Sequence, residues 1–245
     1  MNSPIKERPI IFNGEMVRAI LEGRKTQTRR VMRRQPDSVE RWKRGEPTSD
    51  TDARYTVLRC YNPPRKFKPC NSGWGADMPY SPFAEFNVGD RLWVRETFSY
   101  IGNEDGLPVD ANGDICSRGF AQRIYKASAV QKPNNYGIWT SHDGFDFEGA
   151  WTPSIHMPRW ASRITLEITS IRIERLQDIS EEDAKAEGVK ENEYRKFVHK
   201  PDSRFSIHFD TAKSWFRSVW QSIYGEESWE ANSWVWVVEF KQVVA

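Results

Sequence analysis

Apolar and polar positions alternate most clearly between Ser162 and Leu176, where Ile164, Leu166 and Ile168 are followed, after one change of phase, by Ile171 and Ile173. This predicts a long strand or a bent pair of strands. A second apolar run, Trp234-Val-Trp-Val-Val-Glu-Phe240, predicts a closing strand. Arg8–Phe12, Thr26–Met32, Arg91–Glu96 and Ala121–Ala127 read as shorter strands. The period changes to helical in three places. Asn13 is placed to cap a helix whose Met16, Val17, Ile20 and Leu21 share one face, and Gly23 ends it. Ser180-Glu181-Glu182-Asp183 has the form of a capping box opening a short helix that runs to Gly188. Asp210 is placed to cap Thr211–Tyr224, whose Trp215, Phe216, Val219, Trp220 and Ile223 form an apolar stripe read as core, with Gly225 as the stop.

Two stretches carry no period. Residues 33–88 hold Pro36, Pro47, Pro63, Pro64, Pro69, Pro79 and Pro82 and predict an irregular insertion with a short hairpin around Tyr55–Tyr61. Residues 101–160 are rich in Gly, Pro and aromatic residues and read as a second insertion. Loops of this length are uncommon in a compact domain unless they carry function or lack order. Five or six strands, short helices and no long crossovers predict a small α+β barrel, as one elaborated domain over 1–245, and argue against a doubly wound sheet.

Composition narrows the setting. Hydrophobic residues make up 38% of the 245, and no apolar run is long enough to span a bilayer, which predicts a soluble chain with no membrane partner. The N-terminus lacks the apolar core of a signal peptide, and three cysteines (Cys60, Cys70, Cys116) without a Cys-x-x-Cys pair fit a reducing cytosol better than a disulfide framework. The four histidines show no ligand spacing, so neither a metal nor another cofactor is expected; His156 reads as a packed or capping residue. Net charge is only +2, yet nine Lys/Arg lie between Arg24 and Arg44 against Asp37 and Glu40. Such an excess attracts phosphate or nucleic acid, or is simply a solvated loop. Eleven tryptophans supply core area, and Trp42 and Trp74, near the basic run, are candidates for base stacking.

Four segments then match a known pattern in order. Gly23-x-Lys25-x-x-Thr28-x-Arg30 resembles the signature Gly-x-Lys-x-x-Glu-x-Arg of ASCH domains, members of the PUA-like superfamily. Gly89-Asp90-Arg91-Leu92-Trp93-Val94 resembles that family's strand start. Residues 176–188 look like its acidic helix, and Trp236–Phe240 is similar to its closing strand. The set also looks like a phage or prophage-encoded group of the family. The resemblance implies a PUA-like mixed β-barrel with short flanking helices. Thr28 stands where the common signature has Glu, as in small bacterial ASCH amidohydrolases that act on N4-acetylcytidine. Carried over residue by residue, their Lys, Thr and Glu fall on Lys25, Thr28 and Glu187, with Glu181, Glu182 or Asp183 as alternatives for the acid.

Those residue types suit amide hydrolysis. A threonine hydroxyl needs an adjacent base to attack a carbonyl. A lysine serves as that base when burial or neighbouring cations lower its pKa, whereas a charged Glu187 close by opposes the lowering. Arg24 and Arg30, with Arg159 and Arg163, are candidates for contacting substrate or steadying an oxyanion. Three functions compete. The first is hydrolysis of an N4-acylated cytosine nucleoside. The second is binding of RNA, single-stranded nucleic acid or a modified base, as PUA-like relatives do. The third is metal-independent cleavage of RNA.

Overall fold

The computed structural model describes residues 4–32, 35, 38–41, 56–59, 88–189, 198–199, 206–207 and 211–243. In chain order these form β1 (Glu7–Ile11), α1 (Gly14–Leu21), β2 (Gln27–Val31), β3 (Ser38–Arg41), β4 (Thr56–Arg59), β5 (Arg91–Arg95), β6 (Phe98–Tyr100) and β7 (Arg123–Tyr125). There follow β8 (Val130–Gln131), β9 (Ile138–Thr140), β10 (Asp146–Glu148), β11 (Thr165–Arg175), α2 (Glu181–Ala186), β12 (Val198–His199), β13 (Ser206–Ile207), α3 (Ala212–Tyr224), α4 (Glu227–Glu230) and β14 (Trp234–Val243). The class is α+β, as the periodicity predicts.

The chain divides into two compact units, each assembled from separate stretches of sequence. The first unit contains residues 23–90 and 167–241. In it the strand order is β11-β14-β2, with β14 antiparallel to β2 so that Val238 faces Thr28 and Glu239 faces Gln27. Helices α2, α3 and α4 all contribute to an apolar cluster of Leu176, Ile179, Ala184, Phe216, Trp220, Trp229, Val235 and Val237. Helix α3 contributes Phe216 and Trp220, one turn apart on the stripe, while Trp215 packs at the edge and Ile223 is exposed. Its N-cap is Thr211; Asp210, the expected cap, lies outside the described residues. Thr211 Oγ1 accepts from Ser214 N at 3.1 Å, and Ser214 Oγ accepts from Thr211 N at 3.3 Å. The Glu181 carboxylate then takes Ala212 N and Lys213 N at 2.8 and 3.2 Å. The first residue of α2 thus satisfies two of the amides that α3 leaves open.

Helix α2 begins as its sequence predicts, with Ser180 Oγ accepting from Asp183 N at 3.1 Å. It stops after one and a half turns because Gly188 takes a φ of +107°, a conformation that side chains disfavour. Within 33–88, β4 lies antiparallel to β3, and the rest of the hairpin expected around Tyr55–Tyr61 lies outside the described residues. Trp42 and Trp74 lie outside the described residues.

In the second unit the order is β1-β5-β11, with β1 parallel to β5. Asn13 caps α1, its Oδ1 accepting from Met16 N at 2.9 Å, and Gly23 follows the helix at a φ of +73°. Val17, Ala19 and Ile20 are buried there, but Leu21 is exposed, so the buried face is narrower than the predicted one. The loop-like stretch 101–160 is more ordered than its composition suggests. It holds β7, which pairs antiparallel with β6 just before the stretch, then a three-stranded sheet in the order β10-β9-β8. β7 falls within the strand expected at Ala121–Ala127, whereas β8, β9 and β10, of two or three residues each, are too short to show a period. In neither unit do the described strands close on themselves into a barrel. No described helix is long and apolar enough to cross a membrane.

Thr211→Ala removes one half of the reciprocal cap on α3 and should lower unfolding free energy by about 1 kcal/mol. Urea denaturation checks this. An unchanged midpoint would mean that the Glu181 carboxylate alone secures the helix start.

Candidate functional site

Backbone pairing sets the candidate site. The chain leaves α1 through Gly23, and Lys25 forms an isolated antiparallel bridge with Glu187 at the end of α2. Thr26 N donates to Ala186 O at 2.9 Å, and Phe240 N donates to Thr26 O at 2.8 Å. The start of β2 is thereby held between the end of α2 and β14. Two residues 162 positions apart become neighbours. Lys25 Nζ donates to Glu187 Oε2 at 2.6 Å and to the Glu187 carbonyl at 3.0 Å. The Lys25 side chain has no exposed surface, and that of Glu187 retains 6%.

The pair belongs to a wider network. Gln27 and Arg29 leave one face of β2. Gln27 Nε2 donates to the Asp183 carbonyl at 2.8 Å. Arg29, with no side-chain exposure, reaches three carboxylates: Glu187 Oε1 at 3.2 Å, Glu174 Oε1 at 3.1 Å and Asp183 Oδ2 at 2.8 Å. Its guanidinium also lies 5.9 Å from the Phe216 ring centre. Arg172 binds the outer side of the same acids, Asp183 Oδ2 at 2.7 Å and Glu174 Oε1 at 3.0 Å, and pairs with Glu239. Three cations thus meet four carboxylates, and solvent exposure grows from Lys25 outward to Glu239.

These surroundings decide which effect on Lys25 prevails. Burial is the largest influence and holds the ammonium below its ordinary value; Glu187 pulls the other way by charge and hydrogen bond, while Arg30 and Arg29 add to the lowering. For Asp183 burial favours the neutral form, but Arg172 and Arg29 outweigh it and hold the carboxyl below the usual carboxylate range.

The other sequence candidates fall in different places. Thr28 is buried on β2, and strand alternation sets it on the opposite face from Gln27 and Arg29. Among the described residues no hydrogen bond joins Thr28 to Lys25 or Glu187. Arg30 shares the Thr28 face and acts on Lys25 through its charge. Arg24 donates to the Gly188 carbonyl, fixing the end of α2. Glu181 caps α3 and Asp183 serves the network, so Glu187 is the acid that meets Lys25.

Arg159 and Arg163 belong to the second unit. There Arg159 binds Glu7 at 3.0 Å. Arg163 grips Glu96 through two bonds of 2.9 and 3.0 Å and lies 4.1 Å from the Tyr125 ring centre. The arginine that pairs with Glu96 is therefore distant in sequence and not the adjacent Arg95. His156 is exposed rather than packed. Among the described residues no group of three or more His, Cys, Asp or Glu is arranged to hold a metal ion. Sequence reasoning missed Arg172, Glu174 and Glu239. Their signal was the polar phase of two strongly apolar strands, which reads as a solvent face until α2 is known to cover it.

Both shifts make stability rise with pH. The Asp183 contribution is present above its ordinary value of 3.8 and is lost as pH falls through the lower folded value. The neutral form of Lys25 is favoured by folding, so stability climbs as pH rises from the lowered folded value to 10.5. Asp183→Asn should flatten the acid limb, and Lys25→Met the alkaline limb, of unfolding free energy against pH. Parallel curves for variant and native protein would contradict the assignment. Glu187→Gln, which takes the carboxylate from buried Lys25 and one of three from Arg29, should cost about 3–5 kcal/mol.

No family model, no curated protein and no solved structure matches the chain, so its own residues carry the functional reading.

Proposed function

We propose that this chain is an ASCH-type protein of the PUA-like class that hydrolyses the exocyclic amide of an N4-acylated cytosine nucleoside, such as N4-acetylcytidine. One observation carries the reading: a fully buried lysine with lowered proton affinity lies 2.6 Å from a carboxylate, and the two are the residues that the family pattern selects. The unprotonated fraction of Lys25, enlarged by its lowered proton affinity, takes the proton of the attacking hydroxyl as that oxygen bonds to the acyl carbon. The tetrahedral oxyanion then collapses, the carbon–nitrogen bond breaks, and the proton passes from the Lys25–Glu187 pair to the leaving exocyclic nitrogen. Water completes the balance, giving the free acid and cytidine. Thr28 is the candidate for the attacking hydroxyl, through an acyl intermediate that water then cleaves.

Release of cytidine from N4-acetylcytidine, followed by chromatography, tests this. Lys25→Ala should lower kcat by about 10²–10⁴. Thr28→Ala should match that loss if its hydroxyl attacks, and should leave most of the rate if water attacks directly. Absence of turnover at micromolar enzyme overturns the reading.

A second reading, binding of single-stranded RNA, has its own support in the second unit. Strand β5 buries Leu92 and Val94 and leaves Arg91, Trp93 and Arg95 half-exposed on the other face. The Arg95 and Arg159 guanidinium carbons lie 5.6 and 6.0 Å from the Trp93 ring centre. An indole flanked by cations suits base stacking beside a phosphate backbone. Trp93→Ala should weaken RNA binding by about 1–3 kcal/mol in a fluorescence titration, and native binding should fall steeply with salt. Binding that is absent or indifferent to salt removes this reading.

A further inference from the structure

Glu187 is shared. Its Oε2 receives Lys25 Nζ at 2.6 Å, and its Oε1 receives Arg29 Nη1 at 3.2 Å. Arg29 is itself immobilised. Its Nη2 is held by Glu174 and Asp183 at 3.1 and 2.8 Å, both of those oxygens are also bound by Arg172, and Phe216 lies beside the guanidinium. Two consequences follow from this geometry. A carboxylate with one oxygen tied to a fixed arginine cannot turn to embrace the lysine with both. A second full cation on the same carboxylate, with no solvent exposure, repels a protonated Lys25 with little screening.

We propose that Arg29 is the positioning residue of the site: it binds one oxygen of Glu187, leaves the other alone for Lys25, and opposes a proton on Nζ by its charge. Arg29 stands outside the Gly23-x-Lys25-x-x-Thr28-x-Arg30 spacing, so no motif singles it out. Among the described residues, the charged groups that act on Lys25 include Glu187 from the end of α2 and Arg29 and Arg30 from β2, with Arg24 bound at Gly188 beside them. The kinetic consequence rests on Lys25 acting as the base in the proposed hydrolysis. The electrostatic consequence does not.

The test follows proton binding at Lys25 directly, by NMR of the full chain labelled with ¹³C at lysine Cε, with the resonance assigned by its loss in Lys25→Gln. Arg29→Gln should raise the proton affinity of Lys25 about tenfold, whereas Arg29→Lys should keep it near the native value. Asp183→Asn and Glu174→Gln leave Arg29 less neutralised and should shift Lys25 the opposite way. This second pair decides the matter if Arg29→Gln fails to fold. A native Lys25 titration in folded Arg29→Gln, or an upward shift in both outer variants, overturns the proposal. In parallel, the acid limb of kcat for N4-acetylcytidine should move to higher pH in Arg29→Gln and return in Arg29→Lys. Predicted titration shifts without any turnover would retain Arg29's role and reject the hydrolase; turnover without the shifts would do the reverse.

Discussion

The Arg29 guanidinium has no solvent-exposed surface, so its contacts must offset the full loss of water around a permanent charge. Three carboxylates do so, one from β11, one from α2 and one from the residue that ends α2. The first unit is arranged around this requirement. Gly188 stops α2 where the Glu187 carboxylate can reach Arg29. Ser180 and Asp183 fix its other end, and Glu181 ties it to α3. Removing Glu187 would take the carboxylate from Lys25 and one of three from Arg29, so the network ties the end of α2 to β2.

Lys25 inherits its chemistry from this arrangement. A lysine at a helix-to-strand junction is ordinarily a solvated cation. Here the backbone bridge to Glu187 draws it inside, and burial outweighs the attraction of the carboxylate. The two tendencies left open by the sequence are therefore decided by solvent exclusion, with Arg29 and Arg30 acting in the same direction. The stability of the network and the lowered proton affinity of Lys25 thus rest on the same exclusion of solvent.

Much of the framework was legible in the residues. The alternation of 162–176, the Asn13 and Ser180 caps and the apolar stripe of α3 each follow from side-chain periodicity, and each is found. The convergence of Lys25 and Glu187 was implied by resemblance alone, because no local pattern reports a contact across 162 residues. Arg172 and Glu174 were hidden for a different reason. A polar residue alternating with isoleucine looks solvent-facing until another element covers it. Thr28 shows the opposite case. The resemblance grouped it with Lys25 and Glu187, but strand alternation places it on the other face of β2 from the arginine that organises the network.

A double-mutant cycle on unfolding free energy, comparing Lys25→Met, Glu187→Met and the double variant, tests most directly whether these two residues, 162 positions apart, are coupled through buried charge. Each single variant leaves one charge without its partner, and the double variant leaves neither of the pair. The account predicts a coupling of about 1–3 kcal/mol, with the double variant less destabilised than the sum of the two singles. Additivity within about 0.5 kcal/mol would contradict it.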